Sequence, residues 1–353
     1  MRKFVIVLLA ASMLLAMAGC GVDVNIPGST AGADDLPKAA ESVADANMAT
    51  AESTNEADDL TVRIGGLKGP TSMGLLFMKN DESIAGRYDI SMATAADEVL
   101  PLMVKGELDI ALIPTNAASV LFNKTEGAIS IIDVNTLGVL YVVSGDDSIK
   151  GMSDLKGKTV YLTGKGTVPE YSFKYLLSQN NISDDVVLEF KSEPSEVAAI
   201  LAQDADAVGL LPQPFVTAAC MQNDKLNVAF GLGDEWEQTA DGEESGMVTG
   251  VTVVRNQFLA EHPQAVQRFI EDHAASANAI NSDPNTGAAY AVEAGIVAKE
   301  PIAQKAIPNC GIVCITGDEM RKMVESYLQV LFDADASSVG GKLPGEEFYY
   351  INN

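Results

Sequence analysis

Residues 63–78 read RIGGLKGPTSMGLLFM. A strand-like run over 60–65 enters a turn of glycine, proline and hydroxyl residues. An apolar run over 73–79 leaves that turn with the character of a buried helix. A phosphate-gripping loop would need Gly, four residues, then Gly-Lys and a hydroxyl. Here Lys68 precedes Gly69, and Pro70 stands where the lysine should be, so the nucleotide reading fails on order. What remains is physical. Glycines allow close backbone approach, Pro70 stiffens the turn, and Thr71 or Ser72 is placed to cap the following helix.

The same arrangement recurs. Strand, short Gly/Pro/Thr/Ser/Asn turn and helix follow one another at 64–73, 110–117, 160–170 and 208–216. Each repeat sets a helix start at the carboxyl end of a strand, the edge where open α/β sheets bind ligands. Free N–H groups and the positive end of the helix dipole favour polar or anionic groups there. Further strands are expected at 88–93, 129–134, 137–144, 186–190, 226–230 and 248–254. Residues 95–105 should form a helix ended by Gly106. Residues 234–246 read as an acidic, irregular stretch that holds the only tryptophan, Trp236. From Phe258 onward the chain reads mostly as helix. Alternation of this kind predicts an α/β fold with mainly parallel pairing.

The N-terminus limits where such a body works. Arg2 and Lys3 precede an apolar run from Phe4 to Met17, then Ala18-Gly19-Cys20. That is the pattern of a secretory signal peptide over 1–20, and a cysteine directly after Ala-Gly resembles a bacterial lipobox with Cys20 as the lipidated residue. Residues 21–59 carry nine acidic residues and one lysine, Lys38, with few large apolar groups. Such a segment buries too little apolar surface to offset its ordering entropy and reads as a disordered tether. The formal net charge of -26 makes nucleic acid and anionic lipid surfaces poor partners. Cys310 and Cys314 could close a local disulfide or stand as two packed thiols. His262 and His273 lie far from any cysteine in sequence, so no metal site and no cofactor are expected.

Three motifs carry a family resemblance. Asp154-Leu155-Lys156-Gly157-Lys158-Thr159-Val160 resembles the turn of solute-binding proteins of ATP-driven importers. Gly106-Glu107-Leu108-Asp109-Ile110-Ala111, followed by Pro114, is similar to their strand entry. Asp206-Ala207-Val208-Gly209-Leu210 before Pro212-Gln213-Pro214-Phe215 resembles the sulfonate, nitrate and thiamine-precursor branch of the type II periplasmic binding proteins. The resemblance covers nearly all of the chain from Leu60 on. It implies two Rossmann-like lobes joined by a two-strand hinge, with a cleft between them. Lobe 1 would be 60–140 plus 248–353 and lobe 2 would be 141–247, with crossovers near 137–143 and 247–254.

The resemblance further implies a non-catalytic, lipid-anchored, extracytoplasmic receptor, expected as a monomer. It would capture a small polar or anionic solute and deliver it to ABC permease subunits. Carried over by position, the ligand contacts are Gly69, Pro70, Thr71, Ser72, Thr115, Asn116, Thr136, Leu137, Lys165, Gly166, Thr167, Gln213 and Phe215. Thr71, Ser72 and Thr167 are equally placed as helix caps, Asn116 as a turn residue and Phe215 as core. The arginines beyond Arg2 fall outside the predicted cleft loops, so a bidentate carboxylate clamp is not expected. A sulfonate, a nitrate or a neutral heteroaromatic suits the loops better. The alternative is an extracytoplasmic enzyme on the same fold acting on a small heterocyclic precursor. No histidine serves it as a base; a carboxylate, such as Glu170 beside a cleft loop, or a lysine is left for that role.

Overall fold

The computed structural model describes residues 60–239 and 246–351. The leader, the lipidation site Cys20 and the tether lie outside the described residues. Eleven strands are present among the described residues: β1 Val62–Leu67, β2 Tyr88–Ala93, β3 Ile110–Pro114, β4 Ile129–Leu137, β5 Leu140–Ser144, β6 Thr159–Leu162, β7 Val187–Phe190, β8 Val208–Pro212, β9 Asn227–Gly231, β10 Val248–Arg255 and β11 Ile312–Ile315. They form a six-stranded sheet in the order β11-β4-β10-β3-β1-β2 and a five-stranded sheet in the order β7-β6-β8-β5-β9.

The two orders share one logic. In the first sheet β1 pairs in parallel with β2 and β3. In the second, β6 pairs in parallel with β7 and β8. Next to each parallel trio lies a strand that has just crossed from the other sheet, and so runs antiparallel. That strand is β10 in the first sheet and β5 in the second. The chain therefore passes between sheets twice, at Gly138–Val139 and between β9 and β10. Central strands such as β3 are buried along nearly their whole length, as expected of strands covered on both faces. The edge strands β2 and β7 alternate between exposed and half-buried.

One apolar cluster runs through both sheets, from Val134 and Val251 to Val142 and Val160. The C-terminal helix Gly317–Ala334 contributes Tyr327 and Leu328 to it. The Tyr327 and Ser172 hydroxyls are 2.9 Å apart. Trp236 lies against both Tyr175 and Tyr327, with ring centroids 4.6 and 5.2 Å apart. These contacts bind the helices Val168–Gln179 and Leu232–Thr239 to the C-terminal helix.

Several local expectations change. Thr71 and Ser72 do not cap a helix. Gly69 is the cap residue and Pro70 opens the helix Pro70–Met73, because a fixed φ suits the first helical position. The run over 73–79 is then broken, and a second short helix spans Leu76–Lys79. Trp236 sits in the helix Leu232–Thr239 and not in an irregular stretch; its ring, 1% exposed, supplies the anchor that the acidic sequence hides. Strand β11 interrupts the expected helical C-terminal part. Cys220, Cys310 and Cys314 are free thiols. The Cys310 thiol donates to the Ala306 carbonyl, and burial pushes its pKa up to about 12.

The first crossing is tight. A β-carbon at Gly138 would lie 2.8 Å from the Gly233 Cα. Gly138→Ala is therefore expected to destabilise the fold by about 1–3 kcal/mol, the usual cost of overpacking against a fixed backbone. The midpoint of urea unfolding reads this directly. An unchanged midpoint would show that the two segments part freely.

Candidate functional site

The first sheet brings three predicted regions together around Gly250. Register pairs Gly250 of β10 with Pro114 at the end of β3 and with Thr136 near the end of β4. A β-carbon at Gly250 would lie 2.5 Å from Asn135 Oδ1 and 2.6 Å from Thr71 Cγ2. Only glycine lets the loop after β1 approach β10 so closely. Thr71, Pro114, Thr136 and Gly250 thus share one small region. The carboxyl edge of the second sheet joins it through Gln213, whose backbone N–H donates to the Val139 carbonyl at 3.0 Å.

Several predicted contact residues have their polar atoms committed inside the fold. Thr115 donates its hydroxyl to the Val248 carbonyl at 2.8 Å. Thr136 donates to Asn135 Oδ1 at 2.8 Å, and Asn135 Nδ2 donates to the Thr252 hydroxyl at 3.2 Å. Asn116 turns its amide toward the Ser338 carbonyl, 3.4 Å away. Ser72 is buried with no partner for Oγ among the described residues; it packs on Gly66, where a β-carbon would approach Oγ to 2.2 Å. Gly69, Pro70, Thr71 and Leu137 remain half-buried at this edge.

Other predicted residues line two separate cavities. One, of about 650 Å³, lies between the helices Val168–Gln179 and Gly317–Ala334; Lys165, Gly166, Glu170, Tyr171 and Asp335 are in its lining. The Lys165 ammonium stands 5.9 Å from the centre of the Phe190 ring. Thr167 donates its hydroxyl to the Gly164 carbonyl at 2.7 Å and so makes a turn, not a side-chain cap. Glu170 accepts the Gly166 N–H at 2.6 Å and pairs with Lys174. Burial alone would raise the pKa of Glu170, but the Lys174 and Gly166 hydrogen bonds hold it below the usual carboxylate value. A carboxylate held down in this way is a weak base at neutral pH.

The other cavity, of about 580 Å³, includes Tyr141, Gln213, Met221, Val228, Lys305 and Asn309 in its lining. Gln213 is 3% exposed. Its Oε1 accepts the Thr217 hydroxyl at 2.8 Å, which leaves the amide NH2 as the group that faces the cavity. Tyr141 donates its hydroxyl to the Asn309 carbonyl at 2.9 Å. Burial, helped by the nearby Cys310 and Asp234, pushes the Tyr141 hydroxyl up to about 12. Phe215, 38% exposed, begins the helix Phe215–Gln222 beside this cavity.

Sequence reading missed Asn135, Tyr141, Gly250, Lys305 and Asn309. Gly250 alone left a trace, as a glycine inside a strand. The arginine expectation can be followed residue by residue. Arg63 and Arg255 pair with Asp109, Arg87 with Asp272 and Arg321 with Asp318.

Comparisons with known proteins bear on this arrangement. A family profile described as NMT1/THI5 like matches residues 89–287. A protein of Brucella abortus (strain 2308) that carries a binding-protein name is 24% identical over 219 residues, which is 61% of this chain. That match spans 65% of the relative's own length. Among solved structures, an ABC transporter protein from Parabacteroides distasonis superposes with a TM-score of 0.72 at 21% identity, covering 84% of this chain and 100% of the other. The periplasmic aliphatic sulphonate binding protein SsuA of Escherichia coli gives 0.63 at 14% identity, over 81% of this chain and 92% of the other. The periplasmic nitrate-binding protein NrtA of Synechocystis PCC 6803 gives 0.56 at 12% identity, over 79% and 84%. The fold shared with these is the two-lobed type II binding-protein fold.

Proposed function

This chain belongs to the NMT1/THI5-like family, and from that premise we propose that it is an extracytoplasmic solute-binding protein that passes a small molecule to an ABC importer. The observation that carries the reading is the meeting of the ends of β4 and β8, from two sheets of like strand order, at the Gly138 crossing, where Gln213 donates to Val139. Such a meeting of strand-carboxyl ends is a ligand position in open α/β folds. Lobe 1 comprises 60–140 and 248–353 and lobe 2 comprises 141–247, with an acyl anchor on Cys20 and a monomeric body. The solute is small and polar or anionic, and a sulfonate, nitrate or neutral heteroaromatic fits the half-buried backbone at Gly69 and Pro70 and the Thr71 hydroxyl. The free amide of Gln213 supplies a hydrogen-bond donor, and Lys165 supplies positive charge at the opposite cavity. The held-down Glu170 counts against the enzyme alternative.

A thermal-shift screen of the chain without its leader, against sulfonates, oxyanions, pyrimidines, polyamines and riboflavin-like compounds, tests the reading. A solute at a hundred times its Kd stabilises by about 2.7 kcal/mol through mass action. Gln213→Ala is expected to weaken that solute about tenfold, the size of one lost net hydrogen bond. No shift with any compound, or turnover of one that binds, would sink the proposal.

A further inference from the structure

We propose that Asp133, His273 and Cys314 form a zinc-binding site in the first sheet. The three come from different elements: β4, the helix Pro263–Ser282, and β11. One ligand atom from each lies within 4.8 Å of the others. His273 Nδ1 and Asp133 Oδ2 are 3.1 Å apart, and both side chains are fully buried. Zinc bonds of about 2.0–2.3 Å to nitrogen, oxygen and sulfur in a tetrahedron hold ligand atoms roughly 3–4 Å apart. The observed spacing is therefore close to what coordination needs.

Chemistry and surroundings agree with that assignment. One thiolate, one imidazole and one carboxylate make a borderline-soft set, which suits zinc and not the oxygen-seeking magnesium or calcium. Among the described residues, His273 is the only basic side chain paired with Asp133. A buried carboxylate needs a cation beside it, and a divalent ion supplies one. The other carboxylate oxygen accepts the Thr252 hydroxyl at 2.6 Å, the kind of outer contact that orients a metal-binding carboxylate. The thiolate is the form that binds zinc, so coordination must displace the Cys314 proton. For Nδ1 to bind the ion, the hydrogen it directs at Asp133 Oδ2 must move to Nε2. Binding thus releases protons and weakens as pH falls.

Access and a fourth ligand are both available. Cys314 is half-buried on β11, the outermost strand of its sheet. Its sulfur points at the Ile270 carbonyl, 4.0 Å away, an oxygen held inside its own helix, so water is left to complete the set. A metal there would clip the edge strand and the long helix to β4. Through Thr252 and Asn135, the same hydrogen-bond chain reaches Thr136 at the carboxyl edge.

The test loads the whole chain, without its leader, with zinc or cobalt(II) and dialyses it. The expected result is one metal retained per chain, a thiolate-to-cobalt charge-transfer absorption, and a rise in Tm that a chelator reverses. Cys314→Ser should lose that absorption and bind zinc more weakly by more than the roughly 10–100-fold cost of losing an outer contact. Its far-ultraviolet dichroism should match the parent, since serine fits where cysteine sits. Cys220→Ser should behave as the parent. No retained metal, no thiolate band, or undiminished binding by the Cys314→Ser variant overturns the proposal.

Discussion

Asp109→Ala is expected to lower stability by about 3–5 kcal/mol, the cost of breaking a buried ion pair from one side. Asp109 is 2% exposed. Its carboxylate accepts the backbone N–H of Arg63 at 3.0 Å, the Arg63 guanidinium at 2.8 and 2.5 Å, and Arg255 Nη2 at 2.8 Å. Those bonds join the starts of β1 and β3 to the end of β10. Alanine would leave the Arg255 guanidinium, 17% exposed, without its counter-charge. Burial alone would raise the Asp109 pKa, but the Arg63 and Arg255 hydrogen bonds outweigh it and hold the carboxyl below its usual value. The stabilisation is therefore fully present above the unfolded-state pKa of about 3.9. It is lost as the pH falls through the lower folded-state value. Urea midpoints at neutral pH and in acid read both effects. Equal midpoints for parent and variant at neutral pH would show that the pair contributes nothing.

Trp236→Ala should cost a similar amount, about 3–5 kcal/mol, by the usual penalty for emptying a large aromatic site. The cavity would open between Tyr175 and Tyr327, where elements from both sheets meet. Trp236→Phe should recover a large part of the loss, because it refills much of that volume. Trp236 is the only tryptophan, so unfolding of these variants has to be followed by far-ultraviolet dichroism. A Trp236→Ala protein with the parent's midpoint would mean that the aromatic cluster does not hold the two halves together.

These two residues also mark what could be read from sequence and what could not. Asp109 stood in a motif that resembled a family strand entry, and the fold supplies its physical reason, a carboxylate that gathers two arginines. Turns and regular elements were legible because their signals are local. Residues 88–93 were read with the bounds observed for β2. Gly106 does end its helix in the left-handed region, at φ 72. The helix that carries Trp236 was hidden because its acidic surface residues outnumber its one large buried anchor. Strand β11 lies in a part of the chain that read mostly as helix.

For the candidate site, the turns could be located but their hydrogen-bond commitments could not. Thr115 gives its proton to Val248, a residue 133 positions away. Whether a threonine offers its hydroxyl to a solute or to its own fold is decided by such a distant partner. The same holds for Gln213: its place after β8 was legible, but the orientation of its amide rests on Thr217 and its cavity on Lys305 and Asn309.

The seam between Ser172 and Tyr327 has a mechanical consequence. It is buried and flanked by aromatic rings, while on the other side Tyr141 meets Asn309 through one exposed hydrogen bond. A movement that parts Tyr141 from Asn309 while the seam stays closed must pivot on that seam, as a book opens away from its spine. The fore-edge is then the Gln213 side, where Gln213 lines one cavity with Tyr141 and Asn309.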